Sequence, residues 1–306
     1  MRKIRLGKSG MDVPAVAVGC MRINKLERRA AEAFVKTALE LGANFFDHAD
    51  IYGKGECERI FAEAVGMNSG VREKLILQSK CGIVPGKMFD FSKAHILEAV
   101  DGILGRLKTD YLDVLLLHRP DALAEPDEVA EAFSVLKANG KVRHFGVSNQ
   151  DPYFIQLLQN SMDMPIVADQ LQLSLTNATL ITQSLNINML DAPAADRDNG
   201  ALNYCRLNNI TVQAWSPFQY GMFEGVFLGS EKFPELNKKI DEIAEKYGVT
   251  PTSAALAWIL RHPAKIMPVT GTMNIERLKD CIKAADTDLS REDWYALYLA
   301  AGHRLP

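Results

Sequence analysis

Short apolar runs recur along the chain and alternate with longer segments in which apolar residues have helical spacing. The runs are nearly continuous in apolar residues, which is typical of parallel strands with both faces buried. Eight runs have strand length: 13–19 (VPAVAVG), 44–47 (NFFD), 75–79 (LILQS), 111–117 (YLDVLLL), 142–148 (VRHFGVS), 165–170 (PIVADQ), 210–215 (ITVQAW) and 265–269 (KIMPV). The spacing between them predicts helices that include 26–42, 57–66, 92–107, 127–140 and 233–248.

Strands that alternate with helices predict parallel β-α-β units, and eight units predict a closed α/β fold, the (β/α)8 TIM barrel. An open doubly wound sheet is the structural alternative, but it usually carries a glycine-rich fingerprint after its first strand. The nearest string in this chain, at 53–55 (GKG), lacks the third glycine. The pattern therefore favours the barrel.

Two additions to the barrel are predicted at its ends. Residues 2–12 contain Gly7 and Gly10 as turn residues and predict a small N-terminal β-hairpin. Two extra C-terminal helices are predicted at about 274–285 and 290–301. No linker or low-complexity tract interrupts the chain, so residues 1–306 are expected to form a single domain.

Composition and charge narrow the classes of function. Apolar residues make up 47% of the chain and charged residues 24%, which argues against disorder. The formal net charge is −3, so neither nucleic acid nor an anionic membrane is the expected partner. The basic N-terminus has no apolar core, and the longest uncharged stretch, between Asp169 and Asp191, is too polar to span a bilayer. These features predict a cytoplasmic protein with no membrane segment.

The five cysteines give no sign of a disulfide framework or a metal site. Their number is odd, their spacing is wide and no CxxC occurs, so reduced thiols and no bound metal are expected. Cys20 lies in the first loop, where no neighbouring residue supplies a base to activate it. We therefore interpret Cys20 as a packing thiol.

Polar or aromatic side chains follow nearly every apolar run. In a barrel, the carboxyl ends of the strands form one rim, and the active site lies there. The residues at these ends, together with a tyrosine in the loop after the second run, are Asp47, Tyr52, Lys80, His118, Ser148, Asn149, Gln170, Trp215 and Ser216. The barrel prediction therefore places them around one site.

Four of these side chains suit the reduction of a carbonyl group. The unperturbed pKa of tyrosine is about 10, and a nearby ammonium lowers it by stabilising the phenolate. Lys80 is the candidate ammonium for Tyr52, and Asp47 is the candidate counter-charge of Lys80. His118 can orient a carbonyl oxygen by a hydrogen bond. Because no side chain can provide a hydride, the reduction would need a nicotinamide cofactor as the hydride source.

The motifs that carry these residues resemble those of the aldo-keto reductases. The resemblance covers almost the whole chain and preserves the order and spacing of its motifs. They are FDHADIYG (46–53), LILQSK (75–80), LLLHRPD (115–121), VSN (147–149), Gln170, AWSPF (214–218) and PVTGTMNIERLKD (268–280). The motifs HRPD and AWSPF resemble those of a bacterial general oxidoreductase branch of that family.

The resemblance implies a monomer that reduces a small aldehyde or ketone with NADPH or, as the second choice, NADH. Tyr52 is then the general acid, Asp47 and Lys80 tune it, and His118 orients the carbonyl. The implied cofactor-binding residues are Gly19, Cys20, Met21, Asp47, Ser148, Asn149, Gln170, Trp215, Ser216, Pro217, Phe218, Thr270, Gly271, Thr272, Arg277 and Asp280.

Within the implied cofactor site, Ser148, Asn149 and Gln170 match positions that hydrogen-bond the nicotinamide carboxamide. Trp215 matches a position where the family usually stacks a tyrosine on the nicotinamide ring. Near the expected adenine end of the cofactor, this sequence differs from the motif of the family. Many members have a Lys and a Ser where this chain has Gly271 and Thr272. Arg277 keeps a planar fork that suits a 2′-phosphate, which favours NADPH.

Two other functions are compatible with parts of the pattern. A cofactor-holding, redox-sensing regulatory subunit with little turnover is one, but the intact set of four candidate catalytic residues favours an enzyme. A Schiff-base aldolase that uses Lys80 is the other, and the AWSPF and VSN motifs speak against it. The tail after the last helix is short, 301–306 (AGHRLP), so we expect an open, promiscuous substrate pocket.

Overall fold

Eight parallel strands close into a barrel in the computed structural model, which describes all 306 residues. In chain order the barrel strands are β1 (Ala17–Gly19), β2 (Phe45–Asp47), β3 (Ile76–Cys81), β4 (Leu112–Leu117), β5 (Val142–Ser148), β6 (Ile166–Gln172), β7 (Thr211–Trp215) and β8 (Met267–Thr270). Each strand pairs with its neighbours in the chain, and β8 closes on β1. The predicted (β/α)8 barrel is confirmed.

Helices cover the outside of the barrel, and their apolar faces follow the period of 3.6 residues. Helix 28–40, for example, buries Ala31, Phe34, Val35 and Ala38 against the barrel. The helices are Arg28–Glu40, Glu56–Val65, Ser69–Arg72, Lys93–Leu107, Pro126–Ala138, Pro152–Asn160, Thr179–Leu185, Ala201–Asn208, Pro234–Tyr247, Pro251–Leu260, Ile275–Lys283 and Arg291–Ala300. The last two are the predicted C-terminal additions. No helix has both the length and the apolar composition that crossing a bilayer requires.

The N-terminal hairpin closes one end of the barrel. It pairs Lys3–Arg5 with Asp12–Pro14, so the predicted strand 13–19 is divided between the hairpin and β1. Gly7, at the tip, has a φ of +45°, and a Cβ there would lie 2.3 Å from the carbonyl oxygen of Val167. Its amide donates a hydrogen bond of 2.8 Å to the Oγ1 of Thr211. The tip therefore lies beneath β6 and β7, at the end opposite the predicted site.

A buried carboxyl group lies on the outer face of β6. Successive side chains of a strand point to opposite faces, so Asp169 points towards the helices while Gln170 points into the barrel. Asp169 is fully buried, and neither carboxyl oxygen has a hydrogen-bond partner. Burial raises its pKa to about 8, although the nearby amides of Gln150 and Asn149 oppose the shift. Asp169 is therefore largely protonated at neutral pH in the folded protein.

Replacing Asp169 by asparagine is expected to stabilise the protein at high pH. The pKa of Asp169 is higher in the folded than in the unfolded chain, so its contribution to stability is lost as pH rises from about 4 to 8. Each pH unit in that window removes about 1.4 kcal/mol. The Asp169→Asn variant lacks this loss. Thermal unfolding should show a gain over the wild type at pH 8 that shrinks towards pH 5.

The exposed Asp163, in the loop before β6, provides the control for this prediction. Asp163→Asn makes the same chemical change outside the core, so it should leave the pH dependence of the unfolding temperature as in the wild type. A gain in Asp169→Asn that is equal at pH 5 and pH 8 would show that proton uptake by Asp169 is not coupled to folding.

Candidate active site

The four predicted catalytic residues meet at the carboxyl ends of the first barrel strands. Asp47 ends β2, Lys80 lies near the end of β3, and His118 directly follows β4. Tyr52 begins a short helical turn in the loop after β2. Asp47, Tyr52 and His118 line a cavity of about 1030 Å³, and Lys80 is buried behind them. The structure thus brings together all four predicted side chains.

Lys80 and Asp47 form a buried ion pair. The ammonium nitrogen of Lys80 lies 2.8 Å from each carboxylate oxygen of Asp47 and 2.8 Å from the carbonyl oxygen of His48. The same nitrogen lies 3.3 Å from the hydroxyl of Tyr52. Both members of the pair are almost completely shielded from solvent. An ammonium at this position therefore connects the carboxylate to the phenol.

The loop that carries Tyr52 is fixed to β3 by its backbone. The amide of Asp50 donates to the carbonyl of Lys80 at 3.1 Å, and the amide of Tyr52 donates to the carbonyl of Ala49 at 3.0 Å. The turn is then reversed by left-handed residues that end at Gly55, with a φ of +87°. A Cβ on Gly55 would lie 2.7 Å from the side chain of Arg106. This local sequence holds the phenol against Lys80.

The pKa of Tyr52 differs from the sequence-based expectation. Burial raises it above the ordinary value, and this effect outweighs the opposing charge of Lys80. For Lys80, burial lowers the pKa, but the charges of Asp47 and Tyr52 raise it by more than burial lowers it. The side chain of Lys80 is therefore a stable ammonium. The predicted lowering by Lys80 is present, but the net shift is upward. Tyr52 is consequently a neutral phenol that holds its proton at neutral pH.

His118 is a neutral imidazole in this setting. Burial lowers its pKa well below the ordinary value, and the positive charges of Lys80 and Arg119 add to the effect. Its ring meets the ring of Tyr52 edge to face, with centroids 6.0 Å apart. Its Nδ1 atom is buried without a partner, so Nε2 is the atom available to a molecule in the cavity.

Three glutamine side chains inside the barrel support Asp47. The side-chain amides of Gln78 and Gln170 donate to Asp47 Oδ1 at 2.6 and 3.1 Å. Both also donate to Gln213 Oε1, at 2.8 and 2.9 Å, and Gln213 returns a bond of 2.9 Å to Gln78. Neither Gln78 nor Gln213 was among the site residues predicted from the sequence. Their signal was an amide side chain directly after apolar residues of a strand, at Leu77 and at Val212.

The residues matched to the nicotinamide ring and its carboxamide lie together at the carboxyl ends of β5, β6 and β7. Ser148 donates to the backbone carbonyl of Gln170 at 2.9 Å, and the side-chain amide of Asn149 donates to Ser148 at 2.8 Å. The indole nitrogen of Trp215 donates to the Asn149 side chain at 3.0 Å. Phe223, from the loop after β7, stacks on Trp215 with centroids 5.7 Å apart. These bonds fix the indole at the cavity wall.

Most of the other predicted cofactor residues also line the cavity. Those on its wall are Gly19, Met21, Asp47, Ser148, Asn149, Gln170, Trp215, Ser216, Pro217, Phe218, Gly271, Thr272 and Arg277. Cys20, Thr270 and Asp280 are not on the wall. Cys20 is buried with its thiol 3.7 Å from the Val18 carbonyl, and burial raises its pKa well above the ordinary value. The side chain of Thr270 contacts the thiol of Cys281 at 3.4 Å.

Three cations besides Arg277 line the cavity, and two of them, Lys25 and Arg119, were not expected from the resemblance. Arg22 and Lys25 come from the loop after β1, and Arg119 follows His118. Like Arg277, none of the three forms a salt bridge with a carboxylate. The only carboxylate on the wall, Asp47, is already paired with Lys80. The cavity therefore carries a positive charge that suits an anionic ligand. No cluster of three His, Cys, Asp or Glu side chains is arranged to bind a metal.

Comparison with protein families and curated proteins gives one consistent result. The model of the Aldo/keto reductase family matches residues 15–298. The chain is 34% identical to the uncharacterized oxidoreductase YcsN of Bacillus subtilis, over the full length of both. It is also 34% identical to a 6-dehydroglucose reductase of Novosphingobium aromaticivorans, covering 99% of this chain and 96% of the relative. Identity to the oxidoreductase YdhF of Escherichia coli is 30% over the full length of both.

A solved structure agrees with the sequence comparisons. The thermostable aldo-keto reductase Tm1743, crystallised with the inhibitor epalrestat, superposes with a TM-score of 0.75 at 26% identity. The match covers 98% of this chain and 100% of that chain. Fold and sequence similarity therefore extend over the same residues.

Proposed function

Because this chain belongs to the aldo/keto reductase family, we propose that it uses NADPH to reduce aldehydes or ketones to alcohols, with Tyr52 as the proton donor. The observation that carries the proposal is the contact of 3.3 Å between the Lys80 ammonium and the Tyr52 hydroxyl at the cavity. This contact joins a proton donor to the charge that stabilises its conjugate base.

The residues at the cavity wall fit a nicotinamide dinucleotide. Gln170 Oε1 has no hydrogen-bond partner within the protein, and Ser148 Oγ retains acceptor capacity for a carboxamide. Trp215 offers a fixed aromatic face. Arg22 and Arg277 offer charges without carboxylate partners to the phosphates. When bound, the cofactor supplies the hydride that no side chain can provide.

Tyr52 and His118 divide the work on the carbonyl oxygen. Neutral His118 donates a hydrogen bond through Nε2 and fixes the oxygen beside the phenol. Tyr52 gives its proton to the oxygen as negative charge develops there. Lys80, held by Asp47, then stabilises the phenolate that remains. The raised pKa of Tyr52 keeps the donor protonated at neutral pH until this step.

Arg22 replaces the cation that this chain lacks at position 271. Its Nη1 atom donates to the Gly271 carbonyl at 3.3 Å, and a Cβ on Gly271 would lie 2.7 Å from that nitrogen. The guanidinium therefore occupies the space that a longer side chain at 271 would take. Arg22 and Arg277 both line the cavity, so two planar guanidinium groups are available to phosphate oxygens, which supports a preference for NADPH.

Removing Arg277 is expected to weaken NADPH binding selectively. A charge-assisted hydrogen bond contributes about 1.5 to 3 kcal/mol, so Arg277→Ala should raise the Kd of NADPH by about 10- to 100-fold. The Kd of NADH should change by less than about threefold, because NADH has no 2′-phosphate. Fluorescence titration with both cofactors measures the two values.

Lys279 on the same helix is the matched control for Arg277. It is paired with Glu276 at 2.8 Å and does not line the cavity, so Lys279→Ala should leave both dissociation constants unchanged. An equal loss of NADPH and NADH binding in Arg277→Ala would refute the proposed contact with the 2′-phosphate.

A direct test of the function is the consumption of NADPH with a carbonyl panel that begins with 4-nitrobenzaldehyde. Formation of the alcohol with stoichiometric cofactor oxidation supports the reductase. NADPH binding without turnover of any carbonyl would favour the redox-sensing subunit instead. The aldolase alternative needs a neutral, accessible amine. Lys80 is buried, and its raised pKa keeps it charged, so its setting argues against that chemistry.

A further inference from the structure

We propose that Arg119 makes the carbonyl pocket selective for substrates that carry an oxyanion, such as a carboxylate or phosphate. This inference rests on the proposed reduction and adds a substrate class to it. Arg119 directly follows His118, whose Nε2 faces the cavity, and both side chains line the cavity wall. An anion held there would belong to the same molecule as the reacting carbonyl group.

Arg119 is a half-buried guanidinium with no partner of opposite charge. It forms neither a salt bridge nor a side-chain hydrogen bond, and its guanidinium carbon lies 5.5 Å from the centroid of the Trp215 ring. Burial lowers the pKa of Arg119 below its ordinary value, while Tyr52 opposes the shift. A desolvated guanidinium without an anion is unfavourable, and a bound carboxylate would satisfy its planar fork.

The loop around Arg119 keeps the side chain from finding an internal partner. Pro120 restricts the backbone of the residue before it to an extended conformation. Asp121, the nearest carboxylate in the sequence, accepts the backbone amides of Phe91 and Leu123 at 2.8 and 2.9 Å. The only acidic side chain on the cavity wall, Asp47, is paired with Lys80. The positive charge of Arg119 therefore stays available to a ligand.

The position of Arg119 separates it from the cations proposed to hold the cofactor phosphates. Arg22 contacts Gly271 after β8, and β8 pairs with β1. Arg119 follows β4, three strands away from β1 around the barrel, and sits beside His118 and Trp215. Trp215 is the residue matched to the nicotinamide ring. Arg119 thus lies at the reacting end of the cavity, where the substrate binds.

A pair of substrates of nearly equal shape tests the proposal. 4-Carboxybenzaldehyde and 4-formylbenzamide differ in charge at the position opposite the aldehyde. We expect wild-type kcat/KM to favour the carboxylate by about tenfold or more. Arg119→Met should bring the ratio close to one, and Arg119→Lys should leave an intermediate ratio because it keeps the charge but loses the fork. 4-Formylphenyl phosphate distinguishes a phosphate from a carboxylate preference.

Lys25→Met is the matched control, because it removes one positive charge from the same cavity at the loop after β1. It should leave the ratio of the two substrates unchanged. A wild-type ratio near one, or a ratio that survives in Arg119→Met, would overturn the proposal. The Arg119→Lys variant guards against misfolding of Arg119→Met.

A binding measurement separates this inference from the proposed function. Calorimetry with NADP⁺-loaded protein compares 4-(hydroxymethyl)benzoate with 4-(hydroxymethyl)benzamide, neither of which needs to be reduced. Tighter binding of the benzoate that depends on Arg119 would support the anion site even if no aldehyde were turned over. Equal binding of the two compounds, together with normal reduction of neutral aldehydes, would refute the anion site and leave the reductase intact.

Discussion

Replacing Tyr52 by phenylalanine is expected to remove almost all reductase activity while NADPH binding persists. The substitution deletes one hydroxyl group and keeps the ring that packs edge to face on His118. A positioned general acid accelerates a reaction by about 10²- to 10⁴-fold. The kcat for 4-nitrobenzaldehyde should therefore decrease by a factor in that range. The Kd of NADPH, measured by fluorescence titration, should stay within about twofold of the wild type.

The pH profile adds a second readout to the Tyr52 prediction. Because burial holds the pKa of Tyr52 above its ordinary value, wild-type kcat should show no ionisation of the phenol between pH 6 and 9. His118 is neutral over the same range, since its pKa is well below the ordinary value. The exposed Tyr153 supplies the control, and Tyr153→Phe should retain wild-type kcat. Wild-type kcat in Tyr52→Phe would exclude the acid role.

The fold follows from the sequence wherever burial leaves a simple pattern. Strands with two buried faces read as apolar runs, and one-sided helices such as 28–40 show a period of 3.6 residues. Helix 251–260 was not predicted, because eight of its residues, Ser253–Leu260, are buried and no polar face marks its period. The run 13–19 was predicted as one strand, because the change from hairpin to barrel occurs without a polar residue.

Site residues could be predicted from the sequence only where the strand order of the barrel determines their positions. The ends of parallel strands share one rim, so Asp47, Lys80 and His118 could be grouped from their positions alone. The contact between Arg22 and Gly271 joins residues 249 positions apart and depends on the closure of β8 on β1. The direction of the pKa shift of Tyr52 could not be predicted from the sequence either, because it depends on whether burial outweighs the charge of Lys80.

Replacing Lys80 by methionine is expected to lower both stability and activity. The change leaves the Asp47 carboxylate buried with only the neutral amides of Gln78 and Gln170 as donors. Removing one partner of a buried pair destabilises a protein by about 3 to 5 kcal/mol, which denaturant unfolding can measure. Losing the ammonium beside Tyr52 should lower kcat by about 10²- to 10³-fold, because the phenolate is no longer stabilised.

The double variant Asp47→Asn/Lys80→Met separates these two effects. It removes both charges, so most of the lost free energy of unfolding should return, because no ion remains buried without a partner. The activity should stay low, since the phenolate of Tyr52 still lacks its ammonium. Asp113 and Arg72 form another buried pair, at 2.8 Å and away from the cavity, so Arg72→Met should destabilise the protein without a comparable loss of kcat. If activity in the double variant recovers together with stability, the role of Lys80 is structural, and the stabilisation of the phenolate must come from another group.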